Sequence, residues 1–214
     1  MKTRTYTAML LITGLLFSAP LFGFALKFAP AGGAVWVLGK QIDESKTGFV
    51  TGASLELEVW KGFDYGFRYL YSNVDVVMPN SFIADTAVKS VDAKLVHQSF
   101  ALTNSWSPGW KWVDPYVRGA MGLYSWRLLD GEDSLFKHTI INKKDTTVNE
   151  LKATSFGLSV GGGLRIWPTE WIGLRLGVDY DLIFSEDKKK FGETDANENL
   201  LRAGGEVIFR LGLR

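Results

Sequence analysis

The sequence predicts an all-β protein: eight antiparallel strands closed into an up-and-down transmembrane β-barrel. Three observations lead there. Apolar residues recur at every second position over long stretches, which is the period of a strand and not of a helix. In residues 153–184 the intervening positions hold glycine, arginine and aspartate instead of the Lys, Glu, Thr and Gln of a water-facing sheet. The apolar face therefore looks outward to lipid and the other face inward to a narrow lumen. Short turns also alternate with long connections, as they do when hairpins cross a bilayer repeatedly.

Composition bounds the rest. With 214 residues, a net charge of +1 and 46% hydrophobic residues, the chain suits one domain and offers no basic surface for nucleic acid. It has no cysteine, which excludes a disulfide framework and a thiolate metal site. No residue set suggests a cofactor, and no apolar run of about eighteen residues would cross a bilayer as a helix. Lys2 and Arg4 precede an apolar stretch over residues 8–17, a break at residues 18–20 and the small residues Gly23 and Ala25. This is a secretory leader pattern. Cleavage after Ala25 would leave residues 26–214 as the barrel domain.

The strands follow in order. Strand one is expected within residues 33–41, where Val35, Trp36, Val37 and Leu38 are apolar in succession and leave its faces unassigned. Strand two, residues 49–60, sets Ala53, Leu55, Leu57 and Val59 against Gly52, Ser54, Glu56 and Glu58. Lys61 and Gly62 turn into strand three, which has Tyr65, Phe67, Tyr69 and Tyr71 outward and Gly66, Arg68 and Ser72 inward. Residues 73–90 form a long connection, apolar for a loop, whose ends continue the flanking strands. Strand four, residues 91–103, places Val96, Phe100 and Leu102 toward lipid and His97, Ser99 and Ala101 toward the lumen.

A turn at Ser107, Pro108 and Gly109 leads to strand five, residues 113–128. Val117, Met121 and Leu123 alternate there with Tyr116, Arg118, Ala120, Gly122 and Tyr124. Residues 129–152 are the longest connection and hold His138. Strands six and seven form the hairpin around Pro168, Thr169 and Glu170, because proline fixes its backbone and ends the first ladder. A polar loop with Lys188, Lys189 and Lys190 precedes strand eight, residues 200–213. Each segment supplies the roughly 9 to 11 residues that a membrane strand needs.

Tryptophan supports the same layout. Trp60, Trp106, Trp110, Trp112, Trp167 and Trp171, six of the eight, lie at the three short turns. That is the expected place of an interfacial aromatic belt on the periplasmic side. Phe49, Tyr71, Trp126, Tyr180 and Phe184 stand at the opposite strand ends.

The chain resembles the OmpA-like and related small eight-stranded outer-membrane barrels in DPYVRGAMGLYSWR, GGGLRIWPTEWIGLRLGVDY and the closing RAGGEVIFRLGLR. The resemblance covers the whole mature region and implies export to the outer membrane, with its lipid, its lipopolysaccharide and the barrel assembly machinery as partners. Members commonly end in an aromatic residue that this machinery reads; here Arg214 follows Leu213.

The inward face collects Glu56, Glu58, Asp179, Asp181 and Glu206 against Arg68, Arg118, Arg165, Arg175, Arg202 and Arg210. Charges in so narrow a space must pair, since an unpaired one carries a desolvation cost of several kcal/mol. The expected result is an ion-pair plug, with a gated ion pathway as the alternative. A structural or surface-interaction role follows, with function in the loops. Apolar residues in the second and third long connections would instead suit a channel mouth for small hydrophobic molecules, as in OmpW-like barrels. The His97 and Ser99 pair is similar to that of lipid A deacylases. Its inward parity turns it from an acyl substrate, and no acid is assigned to orient His97, so catalysis is not expected. Lys188 to Lys190 could meet lipopolysaccharide phosphates, although a solvated charge run is the simpler reading.

Overall fold

Alternating side chains can cover two unlike surfaces only if the backbone is extended, and long extended segments must then pair edge to edge. A computed structural model of the chain describes residues 24–38, 44–79, 90–130, 133–134, 136–141, 144–150, 152–184 and 198–212. The wall consists of β1 (Ala25–Leu38), β2 (Gly48–Trp60), β3 (Phe63–Pro79), β4 (Ser90–Trp106), β5 (Val113–Asp130), β6 (Lys152–Ile166), β7 (Ile172–Phe184) and β8 (Glu198–Gly212). Each strand pairs antiparallel with its neighbour in the chain. Pairing of β1 with β8, from Ala25 opposite Gly212 to Leu38 opposite Asn199, closes the barrel. Closure removes the free edges that hydrocarbon could not hydrate.

Both chain ends of the barrel and all three short turns lie at one rim. Gly62 and Gly109 sit in these turns at φ +82° and +75°, a left-handed conformation natural to glycine. At the other rim, β3, β4 and β5 run to 17, 17 and 18 residues against 13 for β2 and β7. They rise beyond the bilayer. A short hairpin, Phe136–Ile141 with Lys144–Glu150, forms a separate small sheet there.

The outward face is apolar through the middle of every strand. Val160, Trp112 and Val117 are 64%, 62% and 58% exposed. On β2 the band runs from Phe49 to Trp60, eleven residue steps, which is about 25 Å across a bilayer once strand tilt is applied.

The structure revises several expectations. β1 begins at Ala25 instead of within residues 33–41, and it brings Lys27 to the inner face. The ends of the connection assigned to residues 73–90 continue the flanking strands as expected, β3 reaching Pro79 and β4 starting at Ser90. His138 pairs opposite Val148 within the small hairpin, so it is not in an irregular loop. Val96 has the outward parity but is buried, between Asn73 and Arg127 on the flanking strands. Most of the expected leader, and Lys188, Lys189 and Lys190, lie outside the described residues.

The inner face has two levels, and the upper one was not anticipated. Toward the long-connection rim, Val35, Val37, Val74, Leu95, Trp126, Ile183 and Leu200 point inward and pack together. Trp126 therefore belongs to the interior and not to the outer aromatic ring, as the parity of Tyr124 and Leu128 requires. This also explains the unbroken apolar run in β1. There the wall separates lipid from an apolar interior, so both faces are apolar.

Candidate functional site

Below that cap the lumen is charged. On the inner face, Gly157 leaves room for the Tyr124 ring and Gly161 for the Asp179 carboxylate, while Gly163 and Gly204 lie against the backbone of the neighbouring strand. At Gly177 a Cβ would stand 2.2 Å from the Tyr116 hydroxyl. The Tyr116 ring lies under three guanidinium groups, with Arg165, Arg175 and Arg118 at 5.1, 5.4 and 5.7 Å from its centre.

One unbroken chain of ion pairs crosses the lumen. Arg175 Nη1 and Nη2 donate to Glu56 at 2.7 and 2.6 Å, and Nη1 also donates to Glu206 at 2.5 Å. Arg118 then links Glu206 at 2.7 Å to Asp179 at 2.7 Å. Arg68 donates to the same Asp179 oxygen at 2.7 Å and to Ser159 at 3.4 Å. These groups come from β2, β3, β5, β7 and β8, so the network ties together walls distant in the chain. Nearer the apolar cap, Arg202 pairs with Asp181 at 2.5 Å, and the Tyr124 hydroxyl donates to that carboxylate at 3.3 Å.

A second cluster closes the turn-side rim. Lys27 Nζ lies 2.7 Å from Asp64 and 3.0 Å from Glu58. Arg210 meets Glu58 at 2.9 Å, and Arg165 meets Asp64 at 2.9 Å while donating to Ser105 and Ser107. Asp114 accepts from the Gly109 and Trp110 amides at 2.9 and 3.0 Å, which fixes the β4–β5 turn beneath them.

All eleven charged residues singled out from the sequence, Glu56, Glu58, Arg68, Arg118, Arg165, Arg175, Asp179, Asp181, Arg202, Glu206 and Arg210, have a partner of opposite charge. Ten are buried, and Arg210 is partly exposed at the rim. Sequence reasoning missed Lys27 and Asp64. Lys27 lay in a stretch given to no strand, whereas Asp64 stood in plain register with Gly66 and Arg68 and could have been found by parity.

Of the six tryptophans, Trp60, Trp106, Trp110, Trp112 and Trp171 are exposed around the turn-side rim. Trp167 departs from the ring. It folds over the lumen mouth, with Lys27 Nζ and the Arg210 guanidinium 5.7 and 5.9 Å from its centre. His97 and Ser99 are inward and buried, opposite Ser72 and Leu70 on β3.

Neisserial surface protein A superposes on this chain with a TM-score of 0.51 at 16% identity, over 87% of this chain and 96% of that one. The fold is that of the small eight-stranded outer-membrane barrels. A major outer membrane protein from Thermus thermophilus aligns with this barrel at TM-score 0.46 and 14% identity, over 87% and 99% of the two chains. The attachment invasion locus protein of Yersinia pestis, in complex with the heparin analogue sucrose octasulfate, aligns at 0.44 and 12%, over 88% and 100%. No family model and no curated protein matches the sequence.

Proposed function

We propose that the chain is a closed outer-membrane barrel of a bacterial envelope, with a structural or surface-interaction role carried by its extracellular connections. The observation behind this is the doubly filled interior. An ion-pair layer and an apolar layer lie in series, and each alone stops hydrated ions. The cavity among Arg68, Arg118, Arg175, Asp179 and Arg202 has a volume of about 40 Å³, room for a few water molecules.

The partners of this reading are membrane lipid, lipopolysaccharide and the barrel assembly machinery. Arg127 and Lys152 are cross-strand neighbours exposed on the outer wall above the apolar band, a position that suits lipopolysaccharide phosphates.

Planar-bilayer recording tests the closure. The unaltered barrel gives no steady conductance. Trp126→Ala thins the cap but leaves the ion pairs, and Arg118→Ala breaks the ion pairs but leaves the cap, so each single variant stays closed. The double variant conducts. Steady ion flow through the unaltered barrel refutes the reading and favours a native pore; flow blocked by small apolar solutes points to an uptake channel.

A further inference from the structure

The outer wall carries a carboxamide, that of Asn104, where the surrounding band is apolar. Asn104 shares its face of β4 with Phe100, Leu102 and Trp106, all more than half exposed. It stands two residues above Trp106, hence about 5 Å inside the turn-side aromatic rim. Its carboxamide makes no hydrogen bond to any described residue. A carboxamide bare to hydrocarbon is costly unless something there bonds to it.

Its neighbours leave space for such a partner. Across the ladder on β5 is Gly119, and a Cβ there would stand 2.8 Å from Asn104 Oδ1. The carboxamide thus lies in the gap left by the missing side chain. The furrow it stands in, about 890 Å³ in all, runs across six strands from Leu55 and Leu57 to Tyr180 and Leu182 and passes Tyr65, Phe67, Met121 and Val160 beside Asn104.

We propose that this groove binds a diacyl phospholipid of the periplasmic leaflet. The Asn104 N–H donates to a glycerol-ester carbonyl, and the acyl chains lie against the apolar walls. Three features select this occupant. The depth matches the level of lipid esters just inside an interfacial aromatic ring. An ester supplies an acceptor and no donor, so it leaves no new unpaired hydrogen in hydrocarbon. Flexible chains also follow a furrow that runs round a curved wall, whereas a second, rigid barrel would meet it over only part of its length.

The site depends on the barrel lying in a membrane but not on a closed lumen. The full chain is reconstituted in equal amounts of ester-linked and ether-linked phosphatidylethanolamine with identical chains. It is then extracted in mild detergent, and the co-purifying lipid is weighed by native mass spectrometry. The unaltered barrel retains the ester lipid several-fold over the ether lipid, which lacks the carbonyl. Asn104→Leu makes the two equal, and Gly119→Val, which fills the groove, lowers both. Equal retention by the unaltered barrel overturns the proposal without recourse to any variant. An unchanged ratio in Asn104→Leu, or a dimer that this substitution splits, overturns it too. Gel mobility before and after heating of the same samples reports barrel folding separately, so loss of the site is distinguished from loss of the barrel.

Discussion

Arg175 shows how a filled lumen concentrates its energetics on single side chains. It is 1% exposed and holds Glu56 through both terminal nitrogens and Glu206 through one. Removing it leaves two buried carboxylates facing each other, a change that typically costs about 3–5 kcal/mol. Arg175→Met should therefore lower the unfolding free energy in detergent micelles by about that amount, measured by urea titration. The double variant Arg175→Met with Glu56→Gln should recover part of the loss, because the remaining Glu206 keeps Arg118 at 2.7 Å. If the two variants are equally stable, Glu56 does not depend on Arg175. The same local logic explains why Trp126 was misplaced. A tryptophan near a strand end suggests an interface ring, yet its parity with Tyr124 aims it inward, and parity is set by the backbone while ring preference is not.

Hairpins are the elements on which closure depends, and the tightest is the β2–β3 connection. Gly62 is left-handed, its carbonyl accepts from the Ser107 amide at 2.7 Å, and a Cβ on it would stand 2.2 Å from the Ser107 carbonyl oxygen. Two adjacent turns are thus bound together at the rim. Gly62→Ala faces both a conformational cost of about 1–2 kcal/mol and a backbone collision. It should destabilise the barrel by at least that conformational amount and slow its folding into micelles, measured by the rise of the fast-migrating form over time. Gly212→Ala, where a Cβ would meet nothing within 4 Å, should have little effect by comparison. The long strands β3, β4 and β5 carry the apolar cap upward, and inward Val74, Val76 and Leu95 lie on those extensions. Residues 73–79 could be given no faces from the sequence, because apolar residues on both faces of a strand hide the period of two.

At the scale of the molecule, two opposed surfaces decide where the chain can live. The exposed band of Phe, Leu, Val and Trp needs hydrocarbon, so the purified chain should fold only with detergent or bilayer present. Circular dichroism should then be β-rich, and gel mobility should change on boiling. A chain that stays folded and monomeric in plain buffer contradicts this placement. The interior charges pair within the protein and away from bulk ions, so their contribution should be little affected by salt. Raising NaCl from about 0.05 M to about 1 M should leave the urea midpoint nearly unchanged, whereas a network of exposed pairs would weaken as the screening length shrank.

Alternation, turn residues and the gathering of tryptophan at three turns determined the architecture by themselves, because each is a local property of an extended chain. Local parity also brought Glu56, Arg68, Arg118, Arg175, Asp179 and Glu206 to one inner face. Which of them meet was decided only by closure, since Glu56 and Arg175 are 119 positions apart and face each other across the barrel. Closure likewise made an apolar cap from residues that looked like loop, strand end and aromatic ring in the linear chain. It turned Trp167 over the mouth and set Asn104 beside the gap at Gly119. Period and turn chemistry are carried along one strand, whereas contacts across a lumen or a ladder depend on register and curvature, which appear once all eight strands have joined.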